Sequence, residues 1–339
     1  MNARVAAILV ILLAFLGGGA LLYQQQERAQ RPENVGTLGR PLFKDLKAAD
    51  IAAIKIVEPN GALTLQRKDE RWVIAERADF PADLSKVREF VLKAIGLKVG
   101  QSEPLGEKDR GRLNLDASGT QVSFLGADGK PLGTLTVGRK YFKREVENPD
   151  KAIPDGRFVA LPGEAGTAYL VGDPLTQATV KTAEWIDRTS FKVEKVKTLQ
   201  VRYPGGESWR IERAADNAEW SLVGARPGEK LDISRANAAS YSLQLLELAD
   251  VAPKDAKDTG LEQPILVDAA TLEGAAYALK VGKLIGENYY VTFTSSGSNK
   301  PNEKLLSEHV LLIPKSKLED TLKKRSELLE KKDDKKNPS

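Results

Sequence analysis

One pattern occurs twice in this chain. From Ile54 the residues read IKIVEPNGALTLQRKDERW: a strand, a Pro-Asn-Gly turn, a second strand and then Trp72. From Leu199 they read LQVRYPGGESWRIERAADNAEW, with a Pro-Gly-Gly turn in the same place and Trp220 at the end. Later landmarks keep the order. Asp83 opens LSKVREFVLKAIGLKV and Asp232 opens ISRANAASYSLQLLELADV; Leu115 closes LNL and Leu261 closes TGL; Gly138 closes GTLTVG and Gly282 closes YALKVG. Counting Pro59 with Pro204 and Trp72 with Trp220, the paired landmarks are offset by 144 to 149 residues. A tandem duplication gives such regularity, and a period this long means two compact units rather than a solenoid. Whatever one copy folds into, the chain must build twice.

Within a copy, Ile54, Ile56, Leu63 and Leu65 alternate with polar residues, the period of strands half buried on one face. The residues between them suit turn dihedrals. Trp72-Val73-Ile74 makes a third strand. Asp83 sits where a helix N-cap belongs, and Val87, Phe90, Val91, Ala94 and Ile95 follow at helical spacing. Val122–Leu125 and Thr134–Val137 resume as strands around an Ala-Asp-Gly-Lys turn. The expected fold class is α+β: a single N-terminal transmembrane helix, then two tandem α+β units, each an antiparallel sheet packed with a helix. The expected boundaries are a cytoplasmic N-terminus at 1–4, an anchor at 5–23, a linker at 24–45 and a first repeat at 46–175. An inter-repeat helix and junction follows at 176–195, a second repeat at 196–314, and a charged helix with a disordered tail at 315–339. Trp72 and Trp220 are expected as matched core anchors and Asp83 and Asp232 as helix caps. Trp185 with Asp187 and Arg188 is expected to pin one copy to the other. Trp209 is the tryptophan expected to meet a partner.

The N-terminal segment sets the expected topology. Residues 5–23, VAAILVILLAFLGGGALLY, form an unbroken apolar run. Nineteen residues at about 1.5 Å each reach roughly 28 Å, close to the ~30 Å hydrocarbon core of a bilayer. A span with four residues ahead of it keeps that end in the cytoplasm, which places the body in the periplasm of a bacterium. Ala14, Gly17, Gly18 and Gly19 give the span a small-residue face, which lets helices approach closely in lipid; these four are the expected membrane contact with a partner. A cleaved signal peptide fits less well, because the apolar run continues through Leu21, Leu22 and Tyr23 past a poor small-x-small site.

Composition removes most familiar chemistry. The chain has no cysteine and one histidine, His309, so disulfides, thiolate nucleophiles, His-Cys dyads and ordinary zinc sites are excluded or nearly so. His309 opens the apolar run HVLLIP and reads as a structural strand-end residue. No GxxxxGK[ST] or GxGxxG occurs, and the glycines at 17–19 lie inside the apolar segment, so energy from ATP would have to come from a partner. Ser85 and Lys86 are neighbours on a helix and point about 100° apart, too far to share a proton. A glycosidase needs two acids at fixed separation, but helix capping already accounts for Asp83 and Asp232. The net charge of +4 is spread along the chain, which argues against nucleic acid as a partner. No catalytic, cofactor or metal residue is assigned.

The Trp-Val strand, Pro81-Ala82-Asp83 before the helix, the Leu-Asn-Leu lead-in, the Thr-Val-Gly strand end and the Trp185-Ile186-Asp187-Arg188 junction together resemble the DUF4340 family over roughly residues 40–315. Copy two departs from that pattern: it lacks Pro-Ala before Asp232, and Glu-Gln-Pro follows Leu261. The resemblance implies a membrane-anchored accessory of an ABC-type export system, beside an ATPase, a permease and a protein similar to the gliding-motility auxiliary component. It implies no catalytic residue. A cell-envelope adaptor that binds polysaccharide or protein without a transporter is the second expectation, and an envelope hydrolase the third.

Overall fold

The computed structural model describes residues 38–331 of the chain, apart from 145–146, 165, 189–191 and 299. The apolar segment 5–23, with Ala14, Gly17, Gly18 and Gly19, lies outside the described residues, as do most of the linker and the tail from residue 332. Among the described residues no helix is long and apolar enough to cross a membrane.

The first copy forms β1 (Ala53–Glu58), β2 (Gly61–Lys68), β3 (Arg71–Ile74), β4 (Phe80–Pro81), α1 (Leu84–Gly96), β5 (Val99–Pro104), α2 (Glu107–Arg112), β6 (Thr120–Leu125), β7 (Pro131–Tyr141), β8 (Gly156–Ala160) and β9 (Thr167–Val171). The second forms β10 (Val196–Arg202), β11 (Ser208–Glu212), β12 (Ser221–Leu222), α3 (Ile233–Tyr241), β13 (Asp250–Val251), β14 (Ile265–Thr271), β15 (Ala276–Ile285), β16 (Asn288–Ser296), α4 (Pro301–Ser307), β17 (Leu311–Pro314) and α5 (Lys315–Leu318). One sheet runs β4-β3-β2-β1-β6-β7-β8-β9-β5 and the other β12-β11-β10-β14-β15-β16-β17-β13. With the two-residue β4 set aside, the orders match strand for strand. In both, a three-strand meander leads into a helix, the strand after the helix takes the far edge, and a second meander fills the interval.

This overturns the α+β expectation. The described chain is mostly β, two large antiparallel sheets with short helices, and the longest helix is the 13-residue α1. Two stretches expected to be helical account for much of the difference. Residues 173–188 hold only a three-residue 3-10 turn at Thr182–Glu184. The run Thr176-Gln-Ala-Thr-Val-Lys-Thr182 is rich in β-branched residues, which lose χ1 freedom in a helix, and Pro174 precedes it. The described part of the charged stretch, 315–331, is α5, a turn, and a 3-10 turn at Arg325–Leu328. Its carbonyls are spent elsewhere: Leu322 O accepts from Tyr203 Oη and Lys323 O from Trp209 Nε1, the latter at 2.7 Å.

The chain clusters into two compact units, whose limits cut across the copies. Among the described residues, one gathers 38–48 with 92–123 and 132–178. In it Leu105, Leu113, Leu115, Ala160 and Ala168 cluster under the half-buried Phe158. Its N-terminal entry is held by Arg40, whose Nη2 donates to Glu164 Oε2 and Tyr169 Oη, both at 3.1 Å. The hydrogen bond from Tyr169 to Glu164, with Arg40 beside it, holds the Glu164 carboxyl below the usual range. The other unit gathers residues 49–91, 124–131 and the described residues from Thr179 to 331. Ile54, Ile56, Leu63 and Leu65 are fully buried in it, and so are Leu199, Val201 and Ile211 from the matching strands of the second copy.

The motif that closes TVG and KVG has a steric cause. In the first unit, a Cβ on Gly138 would stand 2.3 Å from Leu113 O, the carbonyl that accepts from Arg139 N at 2.7 Å. In the second unit, a Cβ on Gly282 would stand 2.2 Å from Thr259 O, which accepts from Lys283 N at 2.7 Å. A β-bulge follows each glycine, between Val137 and Lys140 and between Val281 and Leu284. The incoming loop presses its backbone onto the strand at a point where only glycine fits.

A largely buried ion pair fixes the C-terminal segment. Arg325 Nη2 lies 2.6 Å from Glu229 Oε2, donates to Gly224 O at 2.8 Å, and has its backbone N donating to Glu207 Oε1 at 3.2 Å. Hydrogen bonds from Arg325 and from the Arg226 backbone lower the Glu229 pKa to about 2. A carboxylate with a depressed folded-state pKa stabilises the fold above its unfolded value of 4.5 and loses that contribution as the pH falls toward 2. Glu229→Gln is therefore expected to flatten the fall of the melting temperature between pH 4.5 and 2. An unchanged slope in the variant would contradict this.

Candidate ligand-binding face

The strands of the second sheet bury one face. Leu199, Val201, Ile211, Val267, Leu279 and Phe293 point into the core. Their neighbours along each strand face the other way. Register then lines the outward residues into rows. Arg210 pairs with Gln200, Gln200 with Asp268, Asp268 with Ala278 and Ala278 with Thr294, so one row crosses five strands. The next row is Thr198, Ala270, Ala276 and Ser296. The rows enclose an open trough of about 330 Å³.

The trough is floored by alanines and walled by polar side chains. A methyl floor lets a ligand approach the sheet closely. Gln200, Thr198, Thr294 and Ser296 offer both donors and acceptors. Arg210 supplies a planar cation and lies 3.4 Å from Glu212. Asp268 supplies an acceptor whose Oδ2 lies 2.6 Å from Arg202 Nη2. These side chains can hydrogen-bond a ligand from four of the five strands at once. The trough holds one carboxylate, no second acid and no histidine, so it lacks a pair that could share a proton. Among the described residues no group of three His, Cys, Asp or Glu side chains gathers as a metal site.

The residues singled out from sequence fall elsewhere in the second compact unit. Asp83 Oδ1 accepts from Ser85 N at 2.9 Å and Lys86 N at 3.3 Å, and Asp232 Oδ1 accepts from Arg235 N at 3.2 Å. Two motifs far apart in the chain meet: Asp83 N donates to Trp185 O at 2.7 Å and Asp187 N to Pro81 O at 3.1 Å, around a bridge between Ala82 and Ile186. Trp185 is buried, its ring edge-on to Phe90 at 5.3 Å, with Nε1 donating to Thr179 O at 2.9 Å. Desolvation, with the nearby Asp83 charge adding to it, raises the Asp187 pKa. Arg188 turns back on its own segment and donates to Ala183 O at 3.0 Å. Trp220 is buried and donates to Asn237 Oδ1 at 3.0 Å, whereas Trp72 is only half buried.

Trp209 requires a correction. It is 2% exposed and cannot be a partner surface. It alternates in β11 with Ile211, so both face the core, a signal already present in Ser-Trp-Arg-Ile-Glu. His309 Nδ1 lies 2.8 Å from Leu305 O and Nε2 3.3 Å from Ala78 O, with the ring edge-on to Phe80 at 5.1 Å. It is a packing residue between the copies.

One tie between the copies was not legible in sequence. Arg77 donates through Nε to Asp250 Oδ1 at 3.2 Å and through Nη2 to Oδ2 at 3.1 Å. Nη2 also reaches Thr182 Oγ1 at 2.9 Å, and that hydroxyl donates to Asp250 Oδ2. Both charged side chains are four-fifths buried, at 19% and 17% exposure. The loop bearing Arg77 turns through Ala78 and Asp79, non-glycine residues with φ of 54° and 61°. Backbone held in that region is maintained by surrounding contacts, here the Arg77 fork and the Lys68–Asp79 pair at 2.9 Å.

Comparison with known proteins gives one result. A family described as a domain of unknown function, DUF4340, matches residues 72–264. No curated protein and no solved structure matches the chain.

Proposed function

The chain belongs to the DUF4340 family, and on that premise we propose that it is a non-catalytic, membrane-anchored accessory subunit of an ABC-type transport system. In this reading the apolar segment 5–23 anchors the chain in the bacterial inner membrane, and the body stands in the periplasm. It binds a partner subunit or the transported substrate and leaves ATP hydrolysis to the ATPase. The open five-strand trough of the second sheet carries the reading: it offers recognition groups without a proton-sharing pair. The length of the apolar run supports the tether, and its small residues at 14 and 17–19 support contact with a membrane partner.

Mild-detergent purification of the tagged full-length chain tests this. The expected result is stoichiometric recovery of an ABC ATPase and permease. Replacing Ala14, Gly17, Gly18 and Gly19 together by leucine is expected to abolish that recovery while the chain still fractionates with membranes. Recovery of neither subunit with the unaltered chain would overturn the transport reading in favour of an envelope adaptor.

A further inference from the structure

The bulge that follows Gly138 does more than accommodate a loop. In β7 two residues, Gly138 and Arg139, stand opposite one on β8, because Val137 pairs with Val159 and Lys140 with Arg157. A bulge re-aims the side chains that follow it, and here consecutive residues Arg139, Lys140 and Tyr141 line one groove of about 460 Å³. Arg157 Nε donates to Gly138 O at 2.6 Å and braces the bulge. Leu113 and Phe158 form the apolar side, with Phe158 seated on the Leu105–Leu113–Leu115 cluster and its ring edge-on to Tyr141 at 6.0 Å. Arg112, which lies 3.0 Å from Asp109, and Arg144 bring the cations of the groove to four. Arg139 and Lys140 have no ion pair among the described residues. Glu103 stands on the same wall and accepts from Gln101 Nε2 at 3.1 Å.

The duplication supplies an internal comparison. The second copy keeps the glycine, the incoming carbonyl and the bulge, but the residues that follow are Lys283, Leu284 and Ile285, the last two 46% and 47% exposed. The scaffold therefore does not require two cations and a tyrosine there. We propose that this groove in the first copy binds an acidic saccharide, a pyranose carrying a carboxylate or a phosphate. Arg139 and Lys140 would hold the anion, Phe158 and Tyr141 the apolar face of the ring, and Glu103 a hydroxyl. Glu103 is what selects a hydroxyl-bearing anion over a dense polyanion. A single-stranded nucleic acid needs a basic track over several nucleotides, whereas the cations here are confined to one groove with Glu103 among them. The inference stands apart from the transport reading and survives its failure.

Titration calorimetry of the full-length chain in detergent tests it, with trigalacturonate and mannose 6-phosphate as the acidic probes and maltotriose as the neutral one. At least one acidic probe is expected to bind, and the one that binds identifies the anion. Its affinity is expected to fall at least tenfold between about 50 and 300 mM salt, as the ~10 Å Debye length shrinks. Arg139→Gln with Lys140→Gln is expected to weaken binding at least tenfold. Phe158→Leu, which keeps every charge, is expected to weaken it severalfold, and Lys283→Gln in the second copy to leave it unchanged. Should the double variant fail to fold, the salt series, Phe158→Leu and Lys283→Gln still decide. The proposal is overturned if no acidic probe binds, if maltotriose binds equally well, if the groove variants bind like the unaltered chain, or if a twelve-residue oligothymidylate binds more tightly than either sugar.

Discussion

Gly282→Ala is expected to cost about 3 kcal/mol or more, because the new methyl would overlap a backbone carbonyl that cannot swing away as a side chain tip could. Thr259 O would lie 2.2 Å from it, and that oxygen is already committed to Lys283 N. Relief requires the incoming loop to lift off β15, which breaks the hydrogen bond and opens the sheet at its bulge. A melting temperature lower by roughly 6–12 °C follows for a body of this size. The first copy repeats the experiment: Gly138→Ala meets Leu113 O at 2.3 Å and is expected to behave alike. Gly61→Ala is the control, since a Cβ there meets nothing within 4 Å and its φ is not positive. It should lie within about 0.5 kcal/mol of the parent chain. Thermal melts of the three variants decide the matter, and a Gly282→Ala midpoint within a degree or two of the Gly61→Ala one would refute the steric account.

Asp250→Ala is expected to be the next most damaging change, at about 2–4 kcal/mol, because removing one partner of a largely buried pair leaves the other charge desolvated and unpaired. Among the described residues, Arg77 would keep only Thr182 Oγ1 and the Glu76 carbonyl as acceptors. The loss should exceed that of Lys68→Ala, whose bond to Asp79 is near half exposed and falls in the range of surface pairs, about 0–1 kcal/mol. Replacing both members, Arg77→Met with Asp250→Leu, should recover a good part of the deficit because no lone charge remains. Chemical denaturation of the single and double variants measures this. A single variant as stable as the parent, or a double variant worse than Asp250→Ala, would contradict it.

The legible part of the fold was whatever one copy could state in its own local pattern. Alternation located β1, β2, β10 and β11, Asp83 and Asp232 cap their helices, and the glycine endings mark matching bulges. Edge strands were not legible. β13 has two residues, and β5 shows a VGQSEP pattern with buried residues three apart, so neither carries a period of two. Among the described residues of the two stretches expected to be helical, 176–188 and 315–331 form only short turns, because β-branched residues crowd the first and the carbonyls of the second bond to Tyr203 and Trp209. The trough was beyond reach for a different reason. Arg210, Gln200, Asp268, Ala278 and Thr294 come from five strands far apart in the chain, and only the sheet order, with β14 inserted beside β10, puts them in one row. Arg77, Thr182 and Asp250 likewise join segments with no shared local signal.

The central claim is that the outward face of the second sheet receives a transport partner. A photo-reactive residue at position 278, at the middle of the five-strand row, tests it in living cells. The account predicts a cross-linked product containing the permease or the transported substrate, absent when the same residue is placed at position 61. Products from position 61 alone, or none from position 278 in cells where the full chain is present in the membrane, would contradict it.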